Sequence, residues 1–308
     1  MNQPEYSVVV PVFNSQESLI ELFEGIVKAF VELDVDFETI FIDDRSTDNS
    51  WEVLQNLKQQ HPQHVKIVRL SRNYGQHNAT LCGLMFAKGE AVITIDDDLQ
   101  TPPHEIVTLV RAFEDSPCDV IYGIPYGKKA HHFYRNLGSF LVKKSSRNFR
   151  KTPGEGSSFR LLRRSITDKI VQHSLFFIFI DEILLWYTED IRFVEVEHLP
   201  RKYNHSGYSF GKLWHLVTNL VVFYTDAPLK LMVYGGLFAS FVSFILGVIY
   251  IVKKLFFNVP LGYTSLIVAI LFSTSIILFS LGIIGEYLSR IYKVQNRKPP
   301  FSIDKVIE

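Results

Sequence analysis

Two long stretches without a charged residue, Leu231–Val252 and Leu255–Gly285, constrain this chain more than any other feature. About 20 apolar residues suffice to cross the hydrocarbon core of a bilayer, and both stretches reach that length. One such run can be a buried core helix. Two in succession near the C-terminus predict a hairpin of membrane-spanning helices. The N-terminal MNQPEYSVVVPVFN has no basic segment leading into an apolar one, so no signal peptide is expected and residues before 230 are expected in the cytoplasm. Lys212 and Lys230 before the first stretch, and Arg290, Lys293, Arg297 and Lys298 after the second, put both ends on the cytoplasmic side. Lys253 and Lys254, in the short outer loop, run against that rule. The predicted organisation is a cytoplasmic α/β domain over 1–208, an amphipathic interfacial helix over 209–230 containing Trp214, spans over 231–252 and 264–285 around an outer loop 253–263, and a cytoplasmic basic tail over 286–308.

Charge elsewhere is balanced, with 32 basic and 32 acidic residues, which argues against a nucleic-acid partner or an acidic tail. Cys82 and Cys118 have no metal-like spacing and fit a reducing compartment without disulfides. Up to residue 125 the chain alternates strand-like runs (6–13, 37–44, 65–70, 90–98, 118–124) with helix-like ones (15–33, 46–60, 77–89, 103–115). That alternation predicts βαβ units and a mainly parallel sheet with covered faces. Ligands of such sheets bind beyond the carboxyl ends of the strands, where Asn14, Asp43–Asp44 and Asp96–Asp98 all fall. Residues 126–164 are basic and rich in Gly and Ser, and read as a solvated loop, a patch for anionic lipid or an anion-binding flap. A helix over 173–187 and a strand over 192–201 are expected beyond it.

The stretch IDDDLQTPP (95–103) carries the most specific chemistry. If the strand runs on through it, Asp96 and Asp98 share one face and Asp97 takes the other. Two carboxylates on one face repel unless a cation lies between them. A hard divalent ion such as Mg²⁺ or Mn²⁺ takes oxygen ligands and combines one or two carboxylates with substrate phosphates. The bland alternative is an acidic solvated loop. No phosphate-binding G-x-x-x-x-G-K-[ST] loop or G-x-G-x-x-G fingerprint is present.

In order along the chain, VVVPVFNSQESL, FIDDRSTDNS, LSRNYGQHNAT, IDDDLQTPP, SSFRLLRR, HLPRKYNHSGYSFGKL and IGEYLSRIYKVQNRKPP resemble the family 2 glycosyltransferases. The similarity is greatest to the polyprenyl-phosphate branch, the dolichol-phosphate-mannose-synthase-like enzymes with two C-terminal spans. The resemblance implies a GT-A domain, Rossmann-like, that binds a nucleotide-sugar, with UDP favoured and GDP as the alternative. It implies that Asp98 and Gln100 hold Mg²⁺ or Mn²⁺, with Asp96 near the sugar or ribose. Pro11, Phe13, Asn14 and Glu17 match the nucleotide site after the first strand, and Asp43 and Asp44 match contacts to base or ribose. Arg201 matches a basic residue on the donor diphosphate, while Lys128, Lys129 and Arg135 fall where relatives bind the acceptor phosphate. Relatives carry an aspartate shortly before the F-R-L segment; here the nearest acid is Glu155, and Arg160 lies within that segment. Relatives usually have Gly where this chain has Arg45, which is read either as a surface residue or as a donor-selecting contact. Asp97 replaces a frequent Ala and is expected to face away.

The implied reaction is inverting transfer of one sugar to undecaprenyl phosphate or a similar polyprenyl phosphate, for cell-envelope glycan modification. A cation and an arginine neutralise the departing nucleoside diphosphate. The acceptor is already an anion, so no strong base is required and positioning supplies most of the rate. Thr188-Glu189-Asp190 resembles a base motif of other family 2 enzymes and is read here as coincidence. The resemblance also implies a bacterial-type inner membrane location and a homo-oligomer, a tetramer. The alternatives are a family 2 enzyme acting on a glycan or cell-wall polymer, and a degenerate membrane scaffold.

Overall fold

The structure, a computed structural model, describes residues 4–126, 157–172, 179–200, 202, 262–295 and 299–308, with scattered positions between 232 and 256. Lys128, Lys129, Arg135, Glu155 and Arg201 lie outside the described residues, as does the interfacial segment 209–230. The chain divides into two compact units, one of residues 1–131, 152–207 and 298–308 and the other of 132–151 and 208–297.

The first unit is built on an eight-stranded sheet ordered β7-β5-β6-β4-β1-β2-β3-β8. Its strands are β1 (Tyr6–Val12), β2 (Phe37–Asp43), β3 (Val65–Leu70), β4 (Ala91–Thr94), β5 (Val120–Pro125), β6 (Arg160–Arg163), β7 (Ile191–Val196) and β8 (Ile303–Ile307). Its helices are α1 (Leu19–Leu33), α2 (Ser50–Gln60), α3 (Gln76–Phe86), α4 (Glu105–Asp115), α5 (Arg164–Val171) and α6 (Ile180–Tyr187). Pairings β1–β2, β1–β4, β2–β3 and β5–β7 are parallel; β6 runs antiparallel between β4 and β5, and β8 antiparallel to β3.

Every residue of β1 and β2 is buried, because helices cover both faces and an alternating pattern is not needed. Pro11 sits in this central strand without leaving a gap. The Val9 carbonyl accepts from Ile95 on the β4 side, so Pro11 faces the same way, beyond the end of β4, and its missing N–H has no ladder partner to lose. Along α1, Leu19, Leu22, Phe23, Ile26, Ala29 and Phe30 recur at helical spacing and form its buried stripe. Phe30 stacks on Phe37 at 4.4 Å, tying the end of α1 to the start of β2. On α3, a Cβ at Gly83 would lie 2.2 Å from Val9 Cγ1, so only glycine lets this helix sit so close over β1.

Several expectations change in the sheet unit. Strand β4 ends at Thr94 instead of running through the aspartates. Helix α1 begins at Leu19 instead of Ser15, because residues 15–18 are spent on loop contacts described below. Residues Arg160–Arg163 form a strand within what reads as a basic loop. The end of the expected basic tail is β8, a strand of the sheet.

In the second unit, α7 (Tyr263–Gln295) is a 33-residue helix, longer than the 264–285 span foreseen. Its segment Phe272–Ser289 is, among the described residues, the one long and apolar enough to cross a membrane. Leu266, Phe272, Leu278 and Phe279 lie exposed on it. Described positions between 232 and 256 are helical as well.

Candidate active site

The chain leaves β1 toward β2 on one side and returns as β4 on the other, so the β1–β4 boundary is the switch point of the sheet. Sheets of this kind take their ligands at such a point, outside the carboxyl ends of the strands. The loops after β1, β2 and β4 meet at this edge and are stitched by polar contacts. Asn14, in a left-handed conformation (φ 55), receives the Thr47 N–H on Oδ1 at 2.8 Å, and its own N–H donates to Ser46 Oγ at 3.0 Å. Ser15 N–H donates to Ser50 Oγ at 2.9 Å and Gln16 N–H to Asp48 Oδ2 at 3.2 Å. These bonds occupy the N–H groups expected to open α1. Phe13 and Glu17 remain exposed at the same edge, and Pro11 is buried beneath them.

The aspartate run is a turn, which corrects the picture of two carboxylates sharing one strand face. Leu99, at φ 57, reverses the chain directly after it. Asp96 accepts from Gln76 Nε2 and from Ser158 Oγ, groups supplied by the start of α3 and the residue preceding Phe159. Asp97 does not face away: its Oδ2 accepts the Phe13 N–H at 3.0 Å, and Ser18 Oγ donates to its carbonyl. Burial pushes the Asp97 carboxyl up to about 7, opposed by the Ser15 and Phe13 hydrogen bonds and reinforced by the flanking aspartates. Asp98 Oδ1 accepts the Gln100 N–H at 3.1 Å, and both side chains are half-buried. The Gln100 carbonyl in turn accepts from Leu199 N–H at 2.7 Å, binding the segment after β7 to this turn.

Asp43 and Asp44 are placed differently from the expectation of direct contact with a base or ribose. Both are buried. Asp43 Oδ1 accepts the Ser46 N–H at 2.9 Å, and Arg69 Nε lies 3.0 Å from its Oδ2, close enough for charge pairing although not aligned as a hydrogen bond. The Arg69 guanidinium lies over the Trp51 ring at 5.2 Å. Asp44 accepts the N–H groups of Tyr74 and Gly75 at 2.7 Å each and so holds the loop leading into α3. Burial raises its carboxyl to about 6 in spite of those two bonds.

Arg160 is wholly buried and ion-paired to Asp181 on α6, with Tyr122 Oη donating to the same carboxylate at 2.9 Å. The Arg160 Nε–Thr94 Oγ1 distance is 3.3 Å. This charge pair underlies the Ser158–Asp96 contact, because Thr94 Oγ1 also donates to the Ser158 carbonyl. Burial pulls His77, beside Phe179, down to about 4, so its imidazole is neutral at pH 7. Sequence reasoning missed Gln76, Ser158, Asp181 and Tyr122. Asp181 had left a signal as one of two adjacent acids, with Glu182, at the head of an otherwise apolar helix, where a buried charge needs a partner.

Of two other acidic groups, the one before β7 lies at the opposite edge, whereas the one that includes Glu197, just after β7, lies at this edge. Strand β7 is parallel to β5, and β6 is antiparallel to both β5 and β4, so β7 points the same way as β4. Thr188, Glu189 and Asp190 precede β7 and therefore lie at the opposite edge, where Thr188 Oγ1 donates to Asp119 at 2.6 Å. His104, Glu105 and Glu197 form a cluster at the start of α4. The Glu105 oxygens accept from Thr108 Oγ1 and Glu197 N–H at 2.7 Å each, which makes Glu105 a helix-start anchor.

Fold and geometry together define a mainly parallel α/β domain with an acidic turn at the switch point of its sheet. The sequence pattern of Glycosyl transferase family 2 matches residues 7–171, and that of the GtrB C-terminal hairpin matches 227–291. The undecaprenyl-phosphate 4-deoxy-4-formamido-L-arabinose transferase of Proteus mirabilis is 34% identical over 306 residues, spanning 98% of this chain and 93% of that protein. The protein of the same description from Photorhabdus laumondii is 31% identical over 98% of this chain and 94% of its own. A solved structure, glucosyl-3-phosphoglycerate synthase from Mycobacterium tuberculosis with Mn²⁺, UDP and phosphoglyceric acid, is 15% identical, with 71% of this chain and 76% of that one covered at a TM-score of 0.48. The chain belongs to glycosyl transferase family 2 and is a glycosyltransferase.

Proposed function

We propose that this enzyme transfers one sugar from a nucleotide-sugar, a UDP-sugar, to undecaprenyl phosphate or a similar polyprenyl phosphate, with inversion at the anomeric carbon. The observation that carries the reading is similarity running through both the sheet and the C-terminal hairpin to relatives described as undecaprenyl-phosphate sugar transferases. A lipid-borne acceptor requires the enzyme at a membrane, and the apolar, exposed α7 supplies an element of suitable length. The proposal includes a bacterial inner membrane location, with the sheet unit and both termini in the cytoplasm and the hairpin spanning over 231–252 and 264–285.

A divalent cation, Mg²⁺ or Mn²⁺, fits the acidic turn. Asp98 and Gln100 offer a carboxylate and an amide oxygen two residues apart on one half-buried turn, a donor set suited to a hard ion. When bound, the ion would neutralise charge on the departing diphosphate. The chain's own residues do the rest. Gln76 and Ser158 hold Asp96 at the switch point, where it meets the sugar or ribose. Asp97 clasps the turn to Phe13, so the nucleotide wall and the acidic turn keep one spacing. Arg201 would meet the diphosphate, with Lys128, Lys129 and Arg135 receiving the acceptor phosphate. That acceptor is anionic at neutral pH, and alignment replaces general-base catalysis.

The test is a screen of nucleotide-sugars against undecaprenyl phosphate in detergent, read by mass, beginning with UDP-4-deoxy-4-formamido-L-arabinose. A lipid-phosphate-sugar whose formation stops on chelation is expected. Full turnover by Asp98→Ala, or an alkali-stable glycosidic bond on a polymer acceptor, would overturn the reading.

A further inference from the structure

The last ten residues touch both loops that flank the Asp43–Asp44 pair. On one side, Arg45 Nη1 meets Asp304 Oδ2 at 2.8 Å. Arg45 is held at φ 63, a region in which glycine is at ease and arginine is not, and its side chain reaches β8. On the other side, Ser71 N–H donates to the Ser302 carbonyl at 2.8 Å, and Ser71 Oγ lies 3.0 Å from the Tyr74 hydroxyl. Tyr74 and Gly75 are the residues whose N–H groups hold Asp44. Phe301 is buried at the start of this segment. The β3–β8 register shifts between Arg69 and Leu70, beside the residue that pairs with Asp43.

We propose that residues 301–304 are a positioning element of the donor site, holding the Asp43–Asp44 loop through Arg45 on one side and through Ser71–Tyr74 on the other. The inference rests on the donor-site reading above. It gives Arg45 a role other than selecting the donor. Among the described residues, 301–304 make no direct contact with Asp98 or Gln100, and their only link toward the acidic turn runs through Tyr74 and Gly75 to Gln76. Their loss therefore loosens donor binding and leaves the chemical step alone.

The experiment uses the full chain in detergent with Asp304→Ala, Arg45→Gly and the exchanged pair Arg45→Asp with Asp304→Arg. Glycine suits φ 63, and Asp enters that region more readily than most residues. Three quantities are measured: donor KM and kcat, UDP affinity by calorimetry, and hydrogen exchange of the Tyr74 and Gly75 amides. Each single variant is expected to raise donor KM and the UDP Kd about two- to five-fold, as an exposed ion pair allows, with kcat unchanged. The two amides are expected to exchange faster, and the exchanged pair to recover the wild-type values. A matching fall in kcat, or an exchanged pair no better than either single, overturns the positioning role. Wild-type protein that binds no UDP overturns the donor-site reading itself, whereas identical UDP affinity in wild type and variants overturns only the role of residues 301–304.

Discussion

Two acidic turns lie on the same edge of one sheet and do opposite work. After β2, Asp43 and Asp44 are sealed from solvent and spend their oxygens on Arg69, Ser46, Tyr74 and Gly75. After β4, Asp96, Asp97 and Asp98 are half-buried, with Asp96 held by the Gln76 and Ser158 side chains, Asp97 by the Phe13 N–H and Asp98 by the Gln100 N–H. Residue type and position along the strand are alike in both. Burial separates them, because a sealed carboxylate has to be satisfied by the protein whereas a half-exposed one can serve a ligand.

The comparison breaks most visibly at Asp43. Replacing it with Ala strands Arg69 against Trp51 and is expected to cost about 3 kcal/mol of stability, measured by denaturant unfolding of the full chain. Asp98→Ala should do the reverse, lowering transfer on the order of a hundredfold with little change in thermal midpoint. Retained stability in the first, or lost stability in the second, would mean that burial does not sort the two turns.

Asp44 sharpens the same contrast through pH. Its carboxyl, at about 6 in the folded chain against an ordinary 3.8, keeps its proton through a window in which the unfolded chain has lost it. Unfolding then releases a proton, so stability falls as pH rises from about 4 to 6 and levels off above. The fall attributable to this group is on the order of 3 kcal/mol and should be missing from Asp44→Asn. Smallest of all is Glu189→Gln, at the opposite edge, where transfer should stay within about twofold of wild type, as for a surface substitution. A larger loss would return the Thr188–Asp190 motif to the active site.

Much of this was legible before any coordinates. The parallel core could be read because strand-like and helix-like runs alternate up to residue 125, and the three polar clusters announced the working edge. The turn after β4 was misread as strand because alternation was extended through residues that carry no apolar signal. Strand β6 escaped notice because Arg-Leu-Leu-Arg is too short to show a period and its partners lie far away in sequence. Strand β8 escaped because an exposed edge strand has little apolar pattern to display. Within the site, Asp96 was found by its motif, but Gln76 and Ser158 arrive from other elements, and a contact of that kind leaves no local trace. The clasp at Asp97 was hidden for the same reason.

The place of β6 sets an order of assembly. In the folded sheet β5 is one strand-width from β4, and residues 160–163, which come later in the chain than both, fill the slot between them. Strands β1 to β4 can pair in parallel as they appear, but β5 and β7 have no route into the sheet without β6. A nascent chain stalled before residue 160 therefore carries half a sheet with an open edge at β4, the kind of edge that recruits other chains. Four residues, Arg160–Arg163, join the two halves of the sheet.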